Sequence, residues 1–371
     1  MIGSRILFRA DSSTDIGSGH VMRCLTLATA LRNRGAFCRF VCRDLNGNIS
    51  NKIRAAGFDL DLLPAPTGVF TAAVEDPKHA AWAGVSWQTD AHETAAVMTQ
   101  EPVDWIVLDH YGFDARWTQG LGVLNARKMV IDDLADRPLD ADVVLDQGIE
   151  RVPSDYGDLV EARCLVLAGP RFALTKPEFA ARRDEALRRR EGSARDRLLI
   201  SLGGYDTEDF TGSILRLIAQ APQQRFAHID VVVGLAAPHR DRLTEVCDAM
   251  PVSTTLHVDT PEMPSLMVAA DIAIGGAGMT AIERCVLGLP AAIVIQAENQ
   301  ISQAQNLTRR GAAATYDVRA ENSSLELEEL FSRIQSPEVY VQMSAAASTI
   351  CDGQGLARVV TQIDGIQRAG G

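Results

Sequence analysis

The 371-residue chain is long enough for two domains of ordinary size, and 46% hydrophobic with 5% aromatic residues describes a globular protein rather than a disordered or fibrous one. With 36 Lys and Arg against 48 Asp and Glu the formal charge is −12 at pH 7, which argues against non-specific attraction to nucleic acid or to an anionic membrane surface. The 7 cysteines are scattered without metal-knuckle spacing and no apolar run reaches bilayer length, so the expectation is a cytoplasmic chain with no membrane span and no metal centre.

Apolar runs alternate with helical periodicity along the whole chain, the pattern of parallel sheets flanked by helices. In the first half the predicted strands are RILFRA, FCRFVC, LDLL, WIVLD, KMVID, DVVLD and a short one at 164–168, with helices over 20–34 and 89–99 among the connections. The stretch LTKPEFAARRDEALRRREGSARDR then interrupts the strand pattern with proline and dense charge, and its arginines read as a solvated helix face or linker. The second half restarts with RLLISL, HIDVVVG, STTLHV, DIAIG, AAIVIQ and AAATYD, and ELEELFSRI and PEVYVQMSAAAST read as terminal helices, one of which can pack back across the boundary. The expected architecture is α/β, two doubly wound Rossmann-like domains with an interdomain cleft (GT-B type). A first domain spans 1–178, a charged linker 179–197 and a second domain 198–371. In such sheets ligands gather at the carboxyl ends of the strands.

Three strand ends carry the candidate chemistry of the first half. In DSSTDIGSGHVMR, Gly17 and Gly19 permit a tight turn close to a ligand, and His20 stands in the first turn of the following helix. Val21, Cys24, Leu25, Ala28 and Leu31 keep core spacing there, leaving His20 off that face. A histidine at this place serves as a general base, as a phosphate contact or as an ordinary hydrogen-bonded residue of the helix start. DWIVLDHYGFD delivers Asp109, His110 and Tyr111 to the ligand edge, while Asp132, Asp133 and Asp146 end two further strands. These acids either ring the site or cap the turns that follow them. In the second half, DIAIGGAGMTAIERCVLGLP forms a strand, a turn with Gly275, Gly276, Ala277 and Gly278, and a helix opening with Met279 and Thr280, a backbone cradle suited to a diphosphate. Glu283 is placed to accept ribose hydroxyls or to sit as a favourable acid near a helix start, Gly203 and Gly204 form another glycine turn, and Asn299 and Gln300 with Glu298 occupy a further strand-to-helix junction.

Taken in order, RADSSTDIGSGHVMRCLTLA, HAAWAGVSWQTDAHET, DWIVLDHYGFDARW, VIDDLADRP, GPRFAL, GGAGMTAIERCVLGLP and AENQ resemble the nucleotide-sugar hydrolases of the pseudaminic-acid pathway, which have a MurG-like two-domain fold. The resemblance covers nearly the whole chain. It implies a substrate similar to UDP-2,4-diacetamido-2,4,6-trideoxy-β-L-altropyranose, hydrolysed to UDP and the free hexose without cofactor or metal. It implies His20 as catalytic base, Tyr111 as a catalytic residue close to the sugar, and UDP held in the second domain; Asp109 is read from its strand end as a substrate contact. In the second domain the 275–280 turn would meet the diphosphate, Glu283 the ribose, and Asn299 with Gln300 the sugar or phosphate; Gly203 and Gly204 are read from their glycine turn alone as further substrate contacts. The chain differs from the family pattern at Met279, where a hydroxyl residue is common, at Gly148 and at Tyr205. The rival readings are a glycosyltransferase of the same fold, a non-catalytic nucleotide-sugar binding subunit and an epimerase; the only partner expected is the small-molecule substrate, the oligomeric state being unread.

Overall fold

In the computed structural model, which describes residues 2–122, 125–204, 206–221, 225–235, 237–296, 300–317 and 323–369, the chain divides into two compact units. The first comprises Met1–Leu174 with Gly355–Gly371, and the second Thr175–Gln354.

The first unit carries strands β1 (Arg5–Ala10), β2 (Phe37–Arg43), β3 (Asp59–Leu63), β4 (Trp105–Asp109), β5 (Arg127–Ile131), β6 (Val143–Asp146) and β7 (Leu165–Ala168). They form one parallel sheet in the order β3-β2-β1-β4-β5-β6-β7, so the strand order reverses between β1 and β4. Helices cover both faces, which is why the strands read as continuous apolar runs. Ile6, Phe8 and Ala10 of β1 pack on one face with Phe40 and Val107, whereas Leu7 joins Val41, Ile106 and Leu108 on the other. Phe8 and Phe40 stack with ring centroids 5.0 Å apart.

The second unit repeats the plan with β8 (Arg197–Ser201), β9 (His228–Val233), β10 (Ser253–Val258), β11 (Ile272–Gly276), β12 (Ala291–Val294) and β13 (Ala313–Tyr316), ordered β10-β9-β8-β11-β12-β13 and again parallel. Here the reversal falls between β8 and β11. Both sheets therefore match the doubly wound expectation, and each predicted strand has its counterpart within a residue or two.

Two boundaries differ from the sequence reading. Residues 179–197 are not a linker: helices Pro177–Ala181 and Arg183–Glu191 lie within the second unit, and Arg183 donates to the carbonyls of Val286, Ser348 and Cys351. Several of these arginines are structural donors rather than a solvated face, and Arg190 is only 3% exposed. The last helix, Gly355–Ala369, packs with the first unit, not with 198–354. Its Leu356, Val359, Val360 and Ile363 recur at helical spacing and join the core that contains Val21, Leu25 and Ala28, while the Trp105 indole N–H donates to Gln367. Ile363→Ala is accordingly expected to destabilise the first unit by roughly 2–5 kcal/mol, checked by urea unfolding followed through Trp fluorescence. A value near zero would remove this helix from the core.

Candidate active site

The site is built where the first sheet's strand order reverses. The loop DSSTDIGSGH over residues 11–20 folds on itself, Gly17 N–H donating to the Ser13 carbonyl and the Ser13 hydroxyl accepting from Asp15 and Ile16 N–H. Helix Gly19–Arg32 then starts without a side-chain cap at Ser18, and its first turn lies beside the end of β4. Gly17 is half-buried and Gly19 exposed. Three residues apart on that helix, His20 and Arg23 share a face and both reach Asp109.

Asp109 is fully buried. His20 Nδ1 lies 2.5 Å from Asp109 Oδ1, and Arg23 donates through Nε to Oδ2 at 2.6 Å and through Nη2 to Oδ1 at 2.7 Å. Burial works to raise the carboxyl, but the Arg23 charge, with His20 behind it, outweighs burial and holds Asp109 well below the ordinary carboxylate range. An ionised carboxylate only accepts, so the bonding places a proton on His20 Nδ1, and in the tautomer this selects Nε2 is the acceptor. Among the described residues Nε2 makes no hydrogen bond. This is the electronic arrangement of an oriented base.

Tyr111 meets His20 edge-on, ring centroids 4.5 Å apart, and Trp82 stacks on Tyr111 at 5.8 Å, with His79 against Trp82 at 4.4 Å. The Tyr111 hydroxyl donates to Asp133, which also receives Arg23 Nη1 at 2.5 Å. Burial first, and then the Asp133 charge, push the phenol well above its usual value, so Tyr111 is a neutral donor and its ring a wall beside the imidazole. Gly112 follows because a Cβ there would lie 2.7 Å from the His79 carbonyl oxygen and 2.8 Å from His110 Cε1. His110, next to Asp109, has a different place. Its Nδ1 accepts from Gly112 N–H at 3.0 Å, and burial lowers its pKa to about 4, making it a neutral buried histidine.

The remaining acids of the sheet edge are tied down in the structure. Tyr156 places its hydroxyl 2.8 Å from Asp132 and 2.7 Å from Asp146, and Arg137 pairs with Asp132 at 2.9 Å. Burial, with the Asp133 charge, pushes Asp146 up to about 7. Deeper in the fold, Arg9 links Asp11 to Asp90, and Arg43 joins Asp90 to Glu93. Burial opposes the Asp90 charge, yet Arg9 and Arg43 hold its pKa at about 2.

In the second unit β11 ends in Gly275 and Gly276, Ala277 is buried, and the exposed Gly278 is the N-cap of helix Met279–Val286. Met279 and Thr280 open that helix, half-buried, and Gly278 offers no side chain to cap the first-turn N–H groups. Glu283 is half-buried in the second turn, and its carboxyl, which makes no hydrogen bond among the described residues, is raised by burial to about 7 against the pull of Lys176 and Arg284. Gly203 is exposed and Gly204 half-buried after β8. Gln300 accepts from Gln296 N–H at 3.2 Å, so its carboxamide closes the junction after β12. Asn299, Glu298 and Tyr205 lie outside the described residues. Sequence reasoning did not single out Arg23, Trp82, His79 or Arg284. For Arg23 the three-residue spacing from His20 was the available signal. Among the described residues no group of three or more His, Cys, Asp or Glu side chains is disposed to hold a metal ion, and no helix is long and apolar enough to cross a membrane.

Fold and site define a two-domain α/β protein of the GT-B kind. The structure of Acinetobacter baumannii MurG is similar with a TM-score of 0.67 at 15% identity, covering 97% of this chain and 99% of that one, and TcCGT1 in complex with UDP is similar with a TM-score of 0.62 at 11% identity, covering 98% and 99%. Residues 219–359 match the family described as Glycosyltransferase family 28 C-terminal domain. More particularly, the chain resembles the UDP-2,4-diacetamido-2,4,6-trideoxy-β-L-altropyranose hydrolase of Campylobacter jejuni, with 24% identity over 312 residues, 84% of this chain and 99% of that protein. The resemblance read from the motifs is thus also found by comparison along the chain.

Because Asp109 neutralises a buried Arg23, Asp109→Ala should cost roughly 3–5 kcal/mol in equilibrium unfolding at neutral pH. The folded carboxyl titrates below its ordinary 3.8, so its stabilisation is full above that value and is lost as pH falls through it toward the folded pKa. The gap between wild type and variant should narrow over that acid range. A constant gap would contradict the charged state assigned to Asp109.

Proposed function

We propose that the protein is a metal- and cofactor-independent inverting hydrolase that releases UDP and 2,4-diacetamido-2,4,6-trideoxy-L-altrose from UDP-2,4-diacetamido-2,4,6-trideoxy-β-L-altropyranose. The coarser part of this reading, an enzyme of the GT-B kind with a nucleotide-sugar-related function, rests on the similarity to the Campylobacter hydrolase and on the family 28 C-terminal match. The observation that carries the hydrolytic part is the His20–Asp109 contact, which leaves an unbonded imidazole nitrogen beside an aromatic wall.

The chemistry is economical. His20 Nε2 takes a proton from water as the water oxygen bonds to the anomeric carbon on the face opposite UDP, and the anomeric C–O bond breaks with its electron pair leaving on the diphosphate. Asp109 keeps the ring in the required tautomer and stabilises the imidazolium that forms. The diphosphate is already a good leaving group, so N–H donors at the turn beginning with Gly276, Ala277 and Gly278, and at Met279 and Thr280, matter more than a strong general acid. Glu283 is assigned to the ribose, Gly203 and Gly204 to the phosphate side, and Asn299 and Gln300 to the sugar or phosphate. Tyr111 bounds the sugar side.

A second reading, transfer to an acceptor hydroxyl, is favoured by the family 28 C-terminal match. It uses the same base and differs only in what enters beside His20. Incubation of the purified protein with the UDP-sugar alone separates the two. The hydrolase gives equal amounts of UDP and free hexose with EDTA present, whereas a transferase gives turnover only when an acceptor is added.

His20→Ala and His20→Asn are expected to lower kcat by about 10²–10⁴ while leaving substrate binding in place. Wild-type kcat in both variants between pH 6 and 8 would move the base elsewhere. In ¹⁸O-water the label is expected in the hexose; label in UDP would mean attack at phosphorus.

A further inference from the structure

Arg284 is a buried cation of the second unit that stands behind a strand-end turn. It is 2% exposed, yet among the described residues it forms no ion pair with any carboxylate, and its Nε has no hydrogen-bond partner. Every other anchored arginine of the candidate site contrasts with this, since Arg9, Arg23 and Arg43 each meet carboxylates directly. A buried cation without a counter-ion is costly, and burial lowers the Arg284 pKa to about 10 in consequence. Its location gives the cost a purpose. From helix Met279–Val286 the side chain folds back along its own N-terminal side, and Nη2 donates to the Gly276 carbonyl at 2.6 Å. Gly275 is obligatory because a Cβ there would lie 2.2 Å from Arg284 Nη1 and 2.8 Å from the Ser201 carbonyl oxygen. The guanidinium therefore sits directly behind the strand-end turn that precedes an uncapped helix.

We infer that Arg284 is a positioning residue for a bound diphosphate: it supplies, from the buried side of the turn, the positive charge that the Gly276–Thr280 segment lacks in its own side chains. The inference rests on the nucleotide-sugar reading and names one determinant of it. Two physical effects act together. The charge adds to the positive end of the helix, and its field in a low-dielectric setting is little screened. The charge-assisted bond to the Gly276 carbonyl also polarises the peptide whose other end is the Ala277 N–H, making that group a stronger donor. An anionic ligand at the turn would in return add counter-charge to that of the neighbouring Glu283, which burial raises to about 7. A hydroxyl residue at the position of Met279 would contribute a direct contact; this chain places a fixed charge behind the turn instead.

The test is equilibrium binding of UDP and of uridine to the full chain, wild type and Arg284→Met. The variant should bind UDP about tenfold or more weakly, since a lost charged interaction of this kind is of that order, and should bind uridine as wild type does. Its unliganded melting temperature should equal or exceed that of wild type, because a well-packed apolar side chain replaces an unpaired buried charge. Arg284→Lys should recover part of the UDP affinity. Arg190→Met is the matched control: Arg190 is also buried without a carboxylate, bonded to the carbonyls of Ala186 and Met267, and its loss should leave the ratio of UDP to uridine affinity unchanged. Unchanged UDP affinity in Arg284→Met, parallel loss of UDP and uridine, or a variant that melts well below wild type or fails to fold would each overturn the inference. If wild type bound neither UDP nor uridine, the nucleotide-sugar reading itself would fail; wild-type and variant binding UDP equally would overturn only the role of Arg284.

Discussion

Asp109 is a charged group at the fully buried end of a central strand, and the first unit's site depends on keeping it charged. Burial alone would drive a proton onto it. Arg23 and His20 prevent this, and both come from one helix turn at the spacing that puts them on one face. The orientation of His20 is therefore not separable from the folding of the sheet edge. The helix must start where β1 and β4 diverge, and starting there it brings a ring nitrogen to a carboxylate. Arg23 extends the constraint to Asp133 and, through Asp133, to the Tyr111 hydroxyl.

His110 supplies the contrast that gives this arrangement meaning. It is adjacent to Asp109 in sequence and more buried than His20, but its Nδ1 accepts a backbone N–H. A ring whose Nδ1 is an acceptor carries its proton on Nε2, where Asp11 lies 3.5 Å away. His20 has the opposite polarity, with Nε2 left to accept. Two neighbouring histidines at one sheet edge thus differ in chemical capacity through one hydrogen bond each, and composition or exposure alone would not separate them.

Much of the architecture was legible because parallel strands covered on both faces have to be apolar throughout, and WIVLD or DVVLD can hardly be anything else. The glycine-flanked His20 was legible for a related reason: backbone that must turn sharply before a helix advertises itself. What stayed hidden depended on partners far along the chain. Arg23 reads as an ordinary surface arginine until Asp109, 86 residues on, is seen beneath it. The arginine-rich 183–191 segment reads as a solvated linker, since the acceptors of Arg183 and Arg190 are backbone carbonyls that leave no mark in composition and Arg189 meets Asp271 82 residues on. The Gly355–Ala369 helix shows a clear apolar stripe, but a stripe does not say which sheet it covers.

The two units handle charge in opposite ways, and the contrast matches the division of labour in the proposed reaction. Around His20, one arginine stands among Asp109 and Asp133, so with a neutral imidazole the group is net negative. Tyr156 adds to the account, since its single proton serves only one of Asp132 and Asp146; Asp146, with a pKa of about 7, is the member able to carry a proton of its own. Arg137 and Arg151 pair with Asp132 and Asp146, so the uncompensated carboxylate lies at Asp109 and Asp133, where it favours the positive charge that develops on a sugar ring as its anomeric bond breaks. Among the described residues the second unit's turn has no carboxylate bonded to it, and it is backed by Arg284, whose guanidinium donates to the Gly276 carbonyl. It suits the negative charge that leaves. In the proposed reaction the departing diphosphate is accordingly assigned to this turn rather than to the acid-lined strand ends of the first unit.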